Sequence, residues 1–164
     1  MQKYSSDDVS ILELRSGGQT GADRAALDLA LSAGIEIGGV VPKGRLAEDG
    51  IIPGKYSNLV ETATDDPAER TRLNVATSDA TLIFSHGELS GGSKLTWEFA
   101  AELGRPVFHI DLDRQETLDR LPKVKEWLAE NKVRVLNVAG PRASEDPKIY
   151  SAVYSFLEAL FYTK

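Results

Sequence analysis

Val9-Ser-Ile-Leu-Glu-Leu-Arg15, Ser16-Gly-Gly-Gln-Thr-Gly21 and the run 22–33 follow one another without a break. The first run alternates and is rich in branched residues, which predicts a strand. The second is a glycine-rich turn. In the third, Ala22, Ala25, Ala26, Leu29, Ala30 and Ala33 recur at helical spacing, predicting an amphipathic helix that Gly34 ends. Thr20 and Asp23 form a capping-box-like start, with Asp in place of Glu or Gln.

The same alternation continues outward. Residues 35–41 predict a second strand, followed by the one long polar loop, 42–58. Asp66-Pro67 predicts a helix start, with Asp66 as N-cap and Glu69 in the first turn, and the helix ends near Ser78. A buried strand over 80–84, a loop over 85–92 and a helix over 93–103 closed by Gly104 come next. Residues 106–110 predict a strand, 113–131 partial helix with its better piece from Pro122, 133–138 a strand and 139–145 a loop. Asp146-Pro147 then opens a last helix to about Tyr162. Strands alternating with helices predict an α/β, Rossmann-like single domain over residues 1–164, with a mostly parallel sheet and helices on both faces.

Composition narrows the function classes. The 164 residues contain no Cys, which excludes a disulfide scaffold, a thiolate nucleophile and Cys-ligated metal centres. Nineteen Lys and Arg against 25 Asp and Glu leave a net charge of −6. That balance argues against non-specific nucleic-acid or anionic-membrane binding. The polar start MQKYSSDDVS and the lack of any run near ~20 apolar residues predict a cytoplasmic protein with no membrane partner.

In a parallel sheet the loops that follow strands emerge at the carboxyl edge, where open α/β sheets bind ligands. Loops 16–21, 42–50, 85–92 and 139–145 meet this criterion. Loop 16–21 reads either as a phosphate cradle or as a tight turn; it lacks the G-x-G-x-x-G fingerprint. Gly87-Glu-Leu-Ser-Gly-Gly-Ser-Lys94 misses the nucleotide P-loop pattern because Ser and Lys are exchanged. Gly91, Gly92 and the Ser93 hydroxyl still make an anion nest, or else a loop tip. Lys43, Arg45 and Arg142 are cations on predicted edge loops, suited either to a phosphate or to solvent. His86 reads as a solvated loop residue and His109 as a satisfied sheet residue. No metal-ligand spacing is present, so no protein-bound metal ion is predicted. No G-x-S-x-G elbow supports a serine hydrolase.

The runs SGGQTGADRAALDLAL, VPKGRLAEDGIIPGKY, FSHGELSGGSKLTWEFA and LNVAGPRAS resemble the putative molybdenum carrier family. That family lies in the SLOG superfamily of Rossmann-like proteins, beside lysine-decarboxylase-like proteins that act as nucleoside-monophosphate phosphoribohydrolases. The resemblance covers about Leu12 to Tyr150. It implies a small phosphorylated ligand, nucleotide-like or pterin, at the glycine loops, with molybdenum cofactor (molybdopterin) as cargo, and a homo-oligomer. The matching positions are Gly17, Gly18, Gln19, Thr20, Gly21, Asp23 and Arg24, then Lys43, Gly44 and Arg45. Gly91, Gly92, Ser93 and Thr96 match the second glycine loop, and Gly140, Pro141 and Arg142 the last.

The phosphoribohydrolases carry P-G-G-x-G-T-x-x-E. Here Ser90 replaces the Pro, Lys94 and Leu95 stand at the later Gly and Thr, and Glu98 keeps its spacing. A binding or carrier protein is therefore the leading expectation. N-glycosidic hydrolysis is the alternative, with Glu98 as catalytic carboxylate and Asp23 second. A nucleotide-sensing module is the third reading.

Overall fold

The computed structural model describes residues 10–114 and 116–162. Residues 1–9, Val9 of the expected first strand among them, lie outside the described residues. The glycine turn of the opening stretch joins β1 (Glu13–Arg15) to α1 (Ala22–Ala33). Leu14, fully buried, stands opposite Ile37 on one side and Leu136 on the other, so β1 is a central strand. The remaining strands of the main sheet are β2 (Glu36–Val41), β5 (Leu59–Glu61), β6 (Ala80–Ser85), β7 (Val107–Asp111) and β8 (Val135–Ala139). Their order is β5-β2-β1-β8-β6-β7, and every described pairing is parallel. The expected Rossmann-like α/β architecture is present.

Helices cover both faces, because a parallel sheet is buried on both sides. On one face α1 packs against α5 (Ile149–Tyr162), with α4 (Leu121–Glu130) beside α5. The alanines of α1 let α5 approach closely; Ala22, Ala25, Ala26 and Ala30 have no exposed surface. Phe84 of β6 meets Phe156 of α5 edge-on, ring centres 5.3 Å apart. On the other face α2 (Pro67–Ala76) packs against α3 (Gly91–Leu103).

The helix punctuation follows the sequence. Asp66 accepts the Ala68 N–H at 3.0 Å, with Pro67 beginning α2, and Gly34 and Gly104 end their helices in the left-handed conformation. Besides the first strand, confined to Glu13–Arg15, and the last helix, which begins at Ile149 rather than at Asp146-Pro147, three features depart from expectation. The polar loop contains a small antiparallel hairpin, β3 (Leu46–Ala47) with β4 (Gly50–Ile51). It is followed by β5, a three-residue edge strand. Helix α3 also begins two residues early, drawing Gly91 and Gly92 into its first turn.

Because β1 ends at Arg15 and β2 continues to Val41, β2 would lose its neighbour beyond Gly38. The Gly38 carbonyl takes Ser16 N–H, and Val40 faces the same, vacated side. The buried Asn74 of α2 fills it: its amide accepts Val40 N–H at 2.8 Å and donates to Val40 C=O at 2.9 Å. A carboxamide thus stands in for a strand and satisfies two buried backbone groups.

Candidate functional site

Loop 16–21 directs its amides inward. Ser16 Oγ donates to the Asp23 carbonyl at 3.0 Å, and Gln19 N–H donates to the Asp23 carboxylate at 3.2 Å. The Gly17 amide also favours the charged form of this carboxylate. Gln19 Oε1 accepts from Thr20 and Glu48 N–H groups at 3.0 and 2.9 Å. The expected capping box does not form: Gly21 is the N-cap, no side chain caps α1, and Ala22 N–H goes to the Pro141 carbonyl at 3.2 Å. Asp23 is drawn back onto the turn instead, so this helix start is closed by protein groups.

The start of α3 differs. Ser90 makes no side-chain cap, and the first helical amide with a protein acceptor is Lys94, bonded to Ser90 C=O at 3.2 Å. Among the described residues nothing accepts from Gly91, Gly92 or Ser93 N–H. Ser93 is only 7% exposed, yet its hydroxyl has no protein partner and is not sealed from the cleft. Unpaired N–H groups at a helix start favour an anion.

These groups border a cleft of about 220 Å³ at the carboxyl edge of β1 and β8. It lies where the chain crosses from the β5-β2-β1 half of the sheet to β6, the position at which open α/β sheets bind ligands. Arg70 of α2 lines it and donates to the Gly17 carbonyl at 2.7 Å. Arg142 lines it from the loop after β8, held by Glu145 at 2.6 Å and facing Glu48 at 3.7 Å. Burial pushes the Asp23 carboxyl up to about 6, against the opposing pull of Arg70, the Gln19 and Gly17 amides and Arg24. A carboxyl that changes charge near neutrality therefore faces two cations.

Of the candidate binding residues named in the sequence, Gly17, Gln19, Asp23, Gly92, Ser93, Thr96, Gly140, Pro141 and Arg142 line this cleft. The others do not. Gly18 has φ +70° and packs under Ile52, whose Cδ1 would lie 2.9 Å from an added Cβ. Thr20 bonds Glu48 and the Ala143 N–H, tying the first and last loops together. Gly21 closes against Pro141. Arg24 pairs with Asp49, its Nη2 at 2.7 Å, and donates to Gly18 C=O. Arg45 clamps the carbonyls of Ile52, Pro53 and Tyr56, while Gly44 N–H donates to Glu61 at 2.6 Å. Lys43 is exposed outside the cleft, Gly91 lies exposed beside it, and Glu98 is exposed further along α3.

A second cleft of about 360 Å³ adjoins the first and shares Ser93, Pro141 and Glu145 with it. His86 lines it, partly buried, with Nδ1 2.5 Å from Asp146 Oδ2. The reading of His86 as a solvated residue is corrected by this pairing. His109 does find a sheet partner, its Nε2 lying 2.6 Å from Ser85 Oγ, and burial lowers its pKa. Among the described residues no group of three or more His, Asp or Glu is arranged to hold a metal ion.

Arg70 and the His86–Asp146 pair escaped sequence reading. Had Leu59-Val60-Glu61 been read as a strand, α2 would have counted as a helix starting at the carboxyl edge, and Arg70 with it.

Fold and site together define a Rossmann-like α/β protein whose cleft opens at the crossover of a parallel sheet. Residues 14–161 match the Circularly permutated YpsA SLOG family, and the chain belongs to that family. It is 50% identical to a protein of Syntrophus aciditrophicus SB whose crystal structure, at 1.45 Å, is described as that of a putative molybdenum carrier protein. That likeness covers 93% of this chain and 96% of the other, with a TM-score of 0.91. A structure of (E)-4-hydroxy-3-methyl-but-2-enyl diphosphate reductase is 13% identical over 90% of this chain and 59% of that one, with a TM-score of 0.39. No curated protein matches the chain. No described helix is long and apolar enough to cross a membrane.

Proposed function

We propose that the protein binds and carries a small phosphorylated ligand in the first cleft, molybdenum cofactor or a nucleotide-like phosphate ester being the cargo. The observation that carries this reading is the buried, unpartnered Ser93 hydroxyl beside the open start of α3, across the cleft from Arg70 and Arg142. A phosphate there would receive N–H groups from α3, the Ser93 hydroxyl and two guanidinium groups, all of them donors. The pterin of molybdenum cofactor carries such a phosphate, and the similar Syntrophus protein is described as a putative molybdenum carrier protein. In this reading the protein grips its cargo by the phosphate in the cytoplasm, as a homo-oligomer.

Native mass spectrometry of freshly purified protein tests the reading and reports the oligomeric state together. The expected result is a bound mass of a phosphorylated pterin or nucleotide. Absence of any such mass, together with no binding of inorganic phosphate, would overturn it.

One observation favours the hydrolase as a second reading. Asp23, unlike Glu98, is a buried carboxyl lining the cleft, and burial pushes it up to about 6, which suits a group that exchanges a proton. Release of free base from AMP by the parent, lost in Asp23→Asn, would establish it.

A further inference from the structure

Asp146 commits both carboxylate oxygens. Oδ1 accepts Lys148 N–H at 3.0 Å, holding the turn into α5, and Oδ2 accepts from His86 Nδ1. A carboxylate at Nδ1 orients the ring and, in the neutral form, keeps the proton on Nδ1, which leaves the Nε2 lone pair as an acceptor. Among the described residues nothing bonds Nε2. The two residues come from the loops after β6 and β8, which are adjacent strands, so the pair is built on the carboxyl edge of the sheet.

The charge of the second cleft says what this acceptor meets. Glu88, Asp113, Glu145 and Asp146 line it, against the single ammonium of Lys148. Four carboxylates disfavour a second anion and favour a group that donates hydrogen bonds. The first cleft instead holds two guanidinium groups and open helix amides beside Asp23 and the shared Glu145. The two compartments meet at Ser93.

We propose that the second cleft is a subsite for the uncharged, donor-bearing part of the ligand, a sugar hydroxyl or a ring N–H, received by His86 Nε2, with Asp146 as the positioning residue. The inference rests on the anion reading of the first cleft, because the donor group is carried on the phosphate seated there. The ligand class is then a phosphate monoester of a polyol or amino-heterocycle, lying across Ser93 with its phosphate toward Arg70.

Calorimetric titration with inorganic phosphate and with AMP tests this. The parent is expected to bind AMP more tightly than phosphate. His86→Ala should weaken AMP about tenfold, the scale of one hydrogen bond to a ligand, and leave phosphate unchanged. Asp146→Asn keeps an acceptor for Lys148 N–H, so it should also weaken AMP while sparing phosphate. In that variant nitrogen NMR of His86 should show the ring proton moving toward Nε2, which a purely structural role would not produce. If AMP binds no more tightly than phosphate, or if His86→Ala affects both probes alike or neither, the subsite is overturned and the anion site stands. If the parent binds neither probe, the anion reading falls and the subsite with it.

Discussion

Arg70 and Asp23 grip one turn from two helices: Arg70 donates to the Gly17 carbonyl at 2.7 Å, and the Asp23 carboxylate accepts the Gln19 N–H at 3.2 Å. Helix α2 and helix α1 are thereby joined through the short turn 17–19 at the floor of the cleft. The cation and the carboxyl are held in place by the backbone they share.

Arg70→Ala should weaken binding of inorganic phosphate by about 1.5–3 kcal/mol, roughly ten- to hundredfold. The loss should shrink as salt is added, because a partly exposed cation is screened. Titration at two ionic strengths checks both statements; unchanged affinity at low salt would reduce Arg70 to a prop for Gly17.

Asp23 makes stability depend on pH. Its folded pKa, about 6, lies above the ordinary aspartate value of 3.8, so the folded state holds the proton more tightly than the unfolded chain. The stabilisation is complete below the unfolded value and is lost as pH rises through about 6. Two pH units correspond to about 3 kcal/mol as an order of magnitude. Urea unfolding between pH 4 and pH 8 should show this slope in the parent and a reduced slope in Asp23→Asn. Equal slopes would contradict the burial of the carboxyl.

Glu145 lies at the junction of the two clefts, one oxygen on Arg142 and the other 3.8 Å from where a Cβ of Gly91 would lie. An internal carboxylate thus borders the open start of α3 and competes with any incoming anion. Glu145→Gln should tighten phosphate binding several-fold, on the order of 1 kcal/mol. A weaker affinity in the variant would mean that Glu145 helps the ligand rather than opposing it.

Two glycines of the cleft should respond oppositely to a methyl group. A Cβ on Gly140 would lie 2.6 Å from Ala22 Cβ and 2.9 Å from Phe84 C=O, so Gly140→Ala should destabilise by about 1–3 kcal/mol. At Gly92 a Cβ meets nothing within 4 Å, so Gly92→Ala should stabilise α3 by up to about 1 kcal/mol. Any loss of phosphate affinity in Gly92→Ala is then an effect on the site itself. Urea midpoints and phosphate titrations of both variants separate the two roles.

Much of the fold was legible because its signals are local. Asp66-Pro67, Gly34 and Gly104 act within one turn, and the structure keeps each where the sequence puts it. Strand β5 was not legible: three residues with one pairing neighbour and an exposed Val60 carry no alternating pattern. For the cleft, the sequence indicated which loops reach the carboxyl edge but not which side chains their own neighbours consume. Arg45 and Arg24 look like free cations in one dimension, yet carbonyls and Asp49 occupy them. His86 and Asp146 lie far apart in the chain and are joined only by the adjacency of β6 and β8.

Among the described strands, β8 alone bridges β5-β2-β1 to β6-β7. During synthesis the first strand to emerge must wait for nearly the last before its second edge is paired. Until then the Leu14 and Leu82 strands each present an open row of amides and carbonyls, the template along which chains aggregate. Such long-range closure makes folding slow relative to a sheet whose neighbours follow in order. A chain truncated before Val135 should consequently accumulate as insoluble material rather than as a smaller folded domain.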